Sequence, residues 1–212
     1  MTAAIQATLG TRTGCTLASF DLNRPLSLLH ADGRTVTIPE QRAALQQCYD
    51  AVSAFIAGPD RPWLYLFGPP GGGKSHLALA SYHALADQGA GVLTAAGLVA
   101  YLRAGVEGYE TDARLQAVQH LPILLLDDLG TEELTPWGLA RLYDVVEQRS
   151  VQRRPTVFTA NVALDELSGL SRTVDDRVRW ARLISRIAQH IAGPLAVLAS
   201  DYRRLHWDGN PF

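Results

Sequence analysis

Residues 63–80 read WLYLFGPPGGGKSHLALA: an apolar run, a burst of glycines, one lysine, and the start of a helical pattern. Lys74 is the only lysine in the chain, set against eighteen arginines. Gly68-Pro69-Pro70-Gly71-Gly72-Gly73-Lys74-Ser75 fits G-x-x-x-x-G-K-[ST] at every fixed position. The spacing has a chemical reason. Glycines let the backbone curl so that successive N–H groups face an anion. A helix beginning near Lys74 adds the positive end of its dipole. The lysine brings a compact charge to the β and γ phosphates, and the Ser75 hydroxyl ligates magnesium. A planar guanidinium is a fork rather than a point charge, which accounts for a lysine in a chain that otherwise uses arginine. The predicted cofactor set is Gly68 to Ser75 with the adjoining His76, the cofactors being ATP or ADP and magnesium.

The strand-loop-helix order around Lys74 recurs in pattern along the chain. Four more apolar runs follow, GVLTA 91–95, ILLLD 123–127, TVFTA 156–160 and LAVLA 195–199. Helical segments near 74–87, 96–105, 111–118, 135–150 and 173–191 separate them. Continuous apolar strands spaced by helices predict an α/β fold, a five-stranded parallel sheet covered on both faces. A further helix is predicted from Pro39 to about Ala57, and residues 17–38 read as loop with turns at Asn23-Arg24-Pro25 and Asp32-Gly33. Residues 1–16 are small and polar and are expected to form a flexible tail ahead of one domain over 17–212.

LPILLLDDLG ends a buried run in Asp127-Asp128. Carboxylates at the C-terminal end of a parallel strand face the crevice where such sheets bind ligands. Asp127 is expected to hold the magnesium shell, and Asp128 to orient or deprotonate the attacking water. Neighbours on a strand point opposite ways, so that role requires Asp128 to lie just past the strand end. Asn161, at the tip of the fourth run, is a candidate partner for the γ phosphate or the water. Arg179, Arg182 and Arg186 share one stripe of the last long helix, with Val178, Leu183, Ile187 and Ile191 as an apolar stripe that packs down. An arginine there can reach a phosphate bound by a neighbouring subunit.

Composition is that of an ordinary globular chain, 47% apolar and 19% charged, with a net charge of −2 that supplies no global cationic field for nucleic acid. Charge is uneven: Arg141–Phe212 holds 11 basic and 8 acidic residues (+3), the first 140 residues 8 and 13 (−5). An acidic partner is therefore expected on the C-terminal half. Cys15 and Cys48 have no metal-ligand spacing. No signal peptide or membrane span is visible, so a cytoplasmic protein is expected.

Together these residues resemble the ATPase module of bacterial replicative-helicase loaders of the DnaC/DnaI type and the similar IstB transposition helpers, within the AAA+ superfamily. The resemblance covers roughly residues 17–204 and rests on ASFD, GPPGGGKSHLALA, ILLLDDLG, the block from Thr135 to Asn161, RLISRI and the closing DYRR. It implies a magnesium-dependent ATPase in which Lys74 and Ser75 bind ATP and magnesium and Asp127 and Asp128 form the acidic strand end. Asn161 is implied as the sensor, Arg186 as an arginine finger acting on the adjacent protomer, and Arg203 as a second sensor. Arg149 and Arg182 are implied as neighbours of the subunit interface. The implied partners are a replicative helicase or a transposase, single-stranded or duplex DNA, and further copies of the chain joined through ATP.

There are departures from the pattern. Only about 38 residues precede the first predicted helix, less than a helicase-gripping domain needs, and little chain follows Arg203 to build a C-terminal lid. Two other classes share the phosphate loop. A small-molecule phosphotransferase would need its own substrate pocket and lid arginines, and Asn161 with the late Arg186 speaks against it. A nucleotide-gated adaptor with weak hydrolysis is compatible with Asp128, which is shorter than the glutamate more usual in AAA+ proteins.

Overall fold

Threonine caps set most of the helix starts. The computed structural model describes residues 14–31, 33–58, 61–106, 109–131, 134–171 and 173–205. Residues 1–13 of the expected tail and Asp32 of the expected turn lie outside these. Helix α1 (Ile38–Ala57) opens with a capping box: Glu40 Oε2 accepts from the Thr37 N–H at 2.7 Å, and Pro39 sits in the first turn. Ahead of it, the stretch read as loop contains a small antiparallel hairpin, β1 (Leu29–Ala31) and β2 (Arg34–Val36).

The main sheet comprises β3 (Leu64–Phe67), β4 (Ala90–Thr94), β5 (Ile123–Leu129), β6 (Thr156–Ala160) and β7 (Leu195–Ala196). Its order is β4-β5-β6-β3-β7, with every pair parallel. The expected fifth strand, 195–199, is cut to two residues, which pair with Leu66 and Phe67. Between strands lie α2 (Lys74–Ala84), α3 (Ala95–Arg103), α4 (Thr111–Gln119), α5 (Pro136–Val151) and α6 (Val174–Ala188), followed by a short α7 (Tyr202–Leu205). Thr94, Thr135 and Thr173 cap α3, α5 and α6.

Period-two alternation sends each strand's residues to two cores. Leu66, Val92, Ile123, Leu125 and Val157 pack beneath α1 and α2 with Leu45, Val52 and Leu77. Tyr65, Leu93, Leu124, Leu126 and Phe158 pack beneath the helices of the other face, with Leu98, Leu142, Val145, Leu183 and Ile187. The apolar stripe of α6 is shifted from expectation: Trp180 is buried with Leu183 and Ile187, whereas Val178 is 46% exposed. No helix among the described residues is long and apolar enough to cross a membrane.

Strand order matters for the site. β6 lies between β3, which feeds the glycine loop, and β5, which carries the carboxylates. A side chain near the end of β6 is thereby held between the two.

Candidate nucleotide site

The glycine loop leaves β3 at Phe67 and enters α2 at Lys74, and its turns use backbone that only glycine adopts readily. Gly71 and Gly73 have φ of +75° and +108°. At Gly73 a Cβ would stand 2.8 Å from the Phe20 ring, so the loop admits no side chain there. No side chain caps α2, which leaves the N–H groups of its first turn for an anion. Lys74 is 5% exposed and its Nζ donates to the carbonyls of Gly68 (2.8 Å) and Pro69 (2.9 Å). Burial pushes its ammonium below the usual value, while the charges of Asp128 and Asp127 oppose that shift.

Asp127 is the junction between loop and sheet. Its Oδ1 accepts from the Ser75 hydroxyl at 2.9 Å and from the Thr159 hydroxyl at 2.5 Å. Alternation places Asp127 on the face of Ile123 and Leu125, the face that α2 covers, which is how it meets Ser75. A buried carboxylate and a hydroxyl beside a phosphate loop are hard oxygen donors. They fit magnesium, which takes one or two protein oxygens and completes its shell with phosphates and water. When bound, the ion would neutralise charge on the phosphates.

Asp128 corrects the sequence reading. It does not lie past the strand end; β5 continues to Leu129. The register shifts between Leu126 and Leu129, and Asp128 takes φ = +59°. It is the extra residue of a β-bulge. Strict alternation would put Leu129 on the face of Asp127, but the bulge returns Leu129 to the core that holds Leu126. Asp128 is thereby turned out of the pleat, and its N–H donates to Thr159 Oγ1 at 2.9 Å. Thr159 thus contacts both acidic residues, whereas the sequence reading of this strand tip singles out Asn161 and gives Thr159 no role. Asn161, two residues on, is exposed.

The outer wall comes from both ends of the described chain. A cavity of about 340 Å³ borders Lys74 and Ser75 and is also lined by Phe20, Asp21, Arg24, His76, Tyr202 and Arg203. Burial holds His76 below the ordinary histidine value, so its ring is neutral at pH 7. Its Nε2 donates to the Thr16 carbonyl at 3.0 Å, and the ring packs edge-on against Phe20. Arg203 lines the same cavity and pairs with Asp201 at 3.2 Å. The turn expected at Asn23-Arg24-Pro25 gives Arg24 no role in the site, yet Arg24 is 4% exposed and donates to the Gly72 carbonyl at 2.6 Å. A lone arginine in a loop carries no sequence signal for such a contact.

The remaining arginines separate into different roles. Arg186 does not line the cavity of its own chain; it forms an ion pair with Glu147 of α5. Arg182 is exposed on α6, and Arg179 pairs with Asp176. Arg149 is not at the surface. It is fully buried, with hydrogen bonds to Thr156 Oγ1 and to the carbonyls of Val118, Gln119, Leu121 and Pro155. Burial pushes its guanidinium down to about 9, and it stays protonated at neutral pH.

Over residues 51–206 the chain matches the family described as IstB-like ATP binding protein. The chain belongs to that family. Among curated proteins, this IstB-like chain is 28% identical over 167 residues to the replicative helicase loader DnaI of Bacillus subtilis (strain 168), covering 76% of this chain and 53% of that protein. It is 30% identical over 143 residues to a putative insertion sequence ATP-binding protein, y4iQ/y4nD/y4sD, of Sinorhizobium fredii, covering 66% of this chain and 46% of that one. The chain thus spans about half the length of the curated relatives it matches. Its fold is that of the AAA+ P-loop domains: the crystal structure of DnaI superposes with a TM-score of 0.63 at 23% identity, over 96% of this chain and 94% of that one.

Proposed function

We propose that this IstB-like chain hydrolyses ATP to control its own assembly, and through that assembly acts on a DNA-handling machine. The observation that carries the hydrolytic reading is the connection Ser75–Asp127–Thr159–Asp128, which joins the loop to the Asp127 carboxylate and, through its backbone N–H, to Asp128. Lys74 and the first turn of α2 would bind the phosphates. Ser75 and Asp127 would hold magnesium, and Asp128, turned out by the bulge, would orient or deprotonate the water. Arg186 would complete the site of a neighbouring copy, exchanging Glu147 for a phosphate. Arg203 and Asn161 are proposed to sense the nucleotide.

Single-stranded DNA is the proposed nucleic-acid partner. Arg114 lies 5.2 Å from the Tyr101 ring and Arg103 lies 5.8 Å from the Trp137 ring, two cation–ring pairs where α3 meets α4 and α5, within the first 140 residues rather than on the C-terminal half to which the charge balance points. Such a surface stacks bases and tracks phosphates. The named functions of the DnaI and insertion-sequence relatives point to two machines, a replicative helicase or a transposase. The helicase reading follows the longer DnaI match, and the transposase reading is favoured by the family over 51–206. Affinity capture of the Asp128→Ala variant with ATP from the source cell decides between them. Recovery of a replicative helicase supports the first and a transposase the second; recovery of neither contradicts both. In the same preparation, Lys74→Ala is expected to abolish ATP turnover. Asp128→Ala should lower turnover at least tenfold with binding retained, and equal rates would remove the general-base role.

A further inference from the structure

We propose that Arg24 is a positioning residue for the phosphate loop, one that aims the Gly73 N–H at the phosphates and ties both ends of the domain to nucleotide binding. The argument begins with the peptide it holds. Arg24 Nη2 donates to the Gly72 carbonyl at 2.6 Å. In a trans peptide the carbonyl and the following N–H point to opposite sides. Fixing the Gly72 oxygen therefore fixes the Gly73 N–H on the side away from Arg24. The preceding peptide is held as well: the Tyr202 N–H donates to the Gly71 carbonyl at 3.2 Å, and the Gly72 N–H is engaged with Pro69 at 3.4 Å. Glycine at 73, with φ = +108°, has no intrinsic preference that would hold this plane by itself.

Arg24 is an unusual group to bury for packing alone. It forms no ion pair with a carboxylate among the described residues, and its Nε has no hydrogen-bond partner there. Its guanidinium lies between two rings, 5.5 Å from Phe20 and 5.4 Å from Tyr202. Phe20 belongs to the N-terminal segment and Tyr202 opens α7, so one cation joins the two ends of the domain over the loop. A second contact repeats that union. Gln41 Nε2 donates to the Ser27 carbonyl, the Ser200 N–H donates to Gln41 Oε1, and the Ser27 N–H donates to Ser200 Oγ. Residues 20–27 and 200–202 are therefore tied into one clasp, and the Arg24 side chain and the Tyr202 N–H are the parts of it that touch the glycine loop.

The inference rests on the nucleotide reading of the site, and calorimetry with magnesium-ADP separates the two. Affinity and the melting temperature without nucleotide are measured for wild type, Arg24→Met, Arg24→Lys and Lys74→Ala. Arg24→Met is expected to bind at least tenfold more weakly, and Arg24→Lys, which keeps a donor for the Gly72 carbonyl, within threefold of wild type. The melting temperature of Arg24→Lys should stay near wild type. Wild-type affinity in Arg24→Met, with Lys74→Ala defective, would overturn the role of Arg24 and leave the nucleotide site standing. Wild-type affinity in both would remove the site itself. Where Arg24→Met fails to fold, Arg24→Gln replaces it: binding at least tenfold weaker supports the role, and wild-type affinity with Lys74→Ala defective overturns it.

Discussion

Replacing Thr159 by Val removes one hydroxyl and the two bonds it makes, with little change in shape. The Asp127 carboxylate loses a donor, and the Asp128 N–H loses its acceptor at the bulge. Groups that orient a site from behind typically contribute about 10- to 100-fold. Thr159→Val is accordingly expected to lower ATP turnover by about 10- to 100-fold, with nucleotide affinity close to wild type. Steady-state turnover and calorimetry on one preparation check both halves. Cys48 gives a second test at this scale. It is buried, and burial pushes its thiol up to about 12. Since the thiolate is the reactive form, Cys48 should resist thiol reagents at pH 8 in the folded protein and react once the protein is unfolded in urea. Mass spectrometry of the labelled peptides reads the outcome.

Between elements, Arg149 joins the end of α4, the end of α5 and the start of β6, bonding the Thr156 hydroxyl and four carbonyls, those of Val118 and Pro155 being shared with backbone N–H groups. Arg149→Met would strand several buried acceptors, each costing about 1–3 kcal/mol if left unmet. A loss of about 3 kcal/mol or more in urea unfolding is expected; a loss below about 1 kcal/mol would show that water or rearranged neighbours replace the guanidinium. The same residue shows where sequence pattern stops. An arginine in a charged helix reads as surface or interface, because pattern cannot register a cation satisfied by carbonyls at the end of α4 and in the loops before β5 and β6. The main strands and helices were legible for the opposite reason: unbroken apolar runs between helical segments leave a parallel sheet as the simple way to bury them. The hairpin at 29–36 was not legible, since strands of three residues are too short to show a period. Nor was the bulge at Asp128, where the strand departs from the alternation on which pattern reading depends.

At the scale of the molecule, the loop and the carboxylates were legible from local motifs, while Arg24 and Thr159 act through contacts that only the fold creates. Arg24 reaches Gly72 across 48 positions of chain, and Thr159 reaches Asp127 across 32. Arg186 poses the largest question at this scale. Within its own chain it faces Glu147 rather than the cavity, so a catalytic role requires a second copy. Mixing variants tests that requirement most directly. Lys74→Ala supplies an intact Arg186 but no usable phosphate loop, and Arg186→Ala supplies the loop without the arginine. Each variant alone should turn over ATP at a small fraction of the wild-type rate. Mixed at equal concentration, they should recover turnover well above the sum of the two, because an arginine from one copy completes the site of the other. A mixture that stays at that sum, or an Arg186→Ala protein as fast as wild type, would contradict a site shared between subunits.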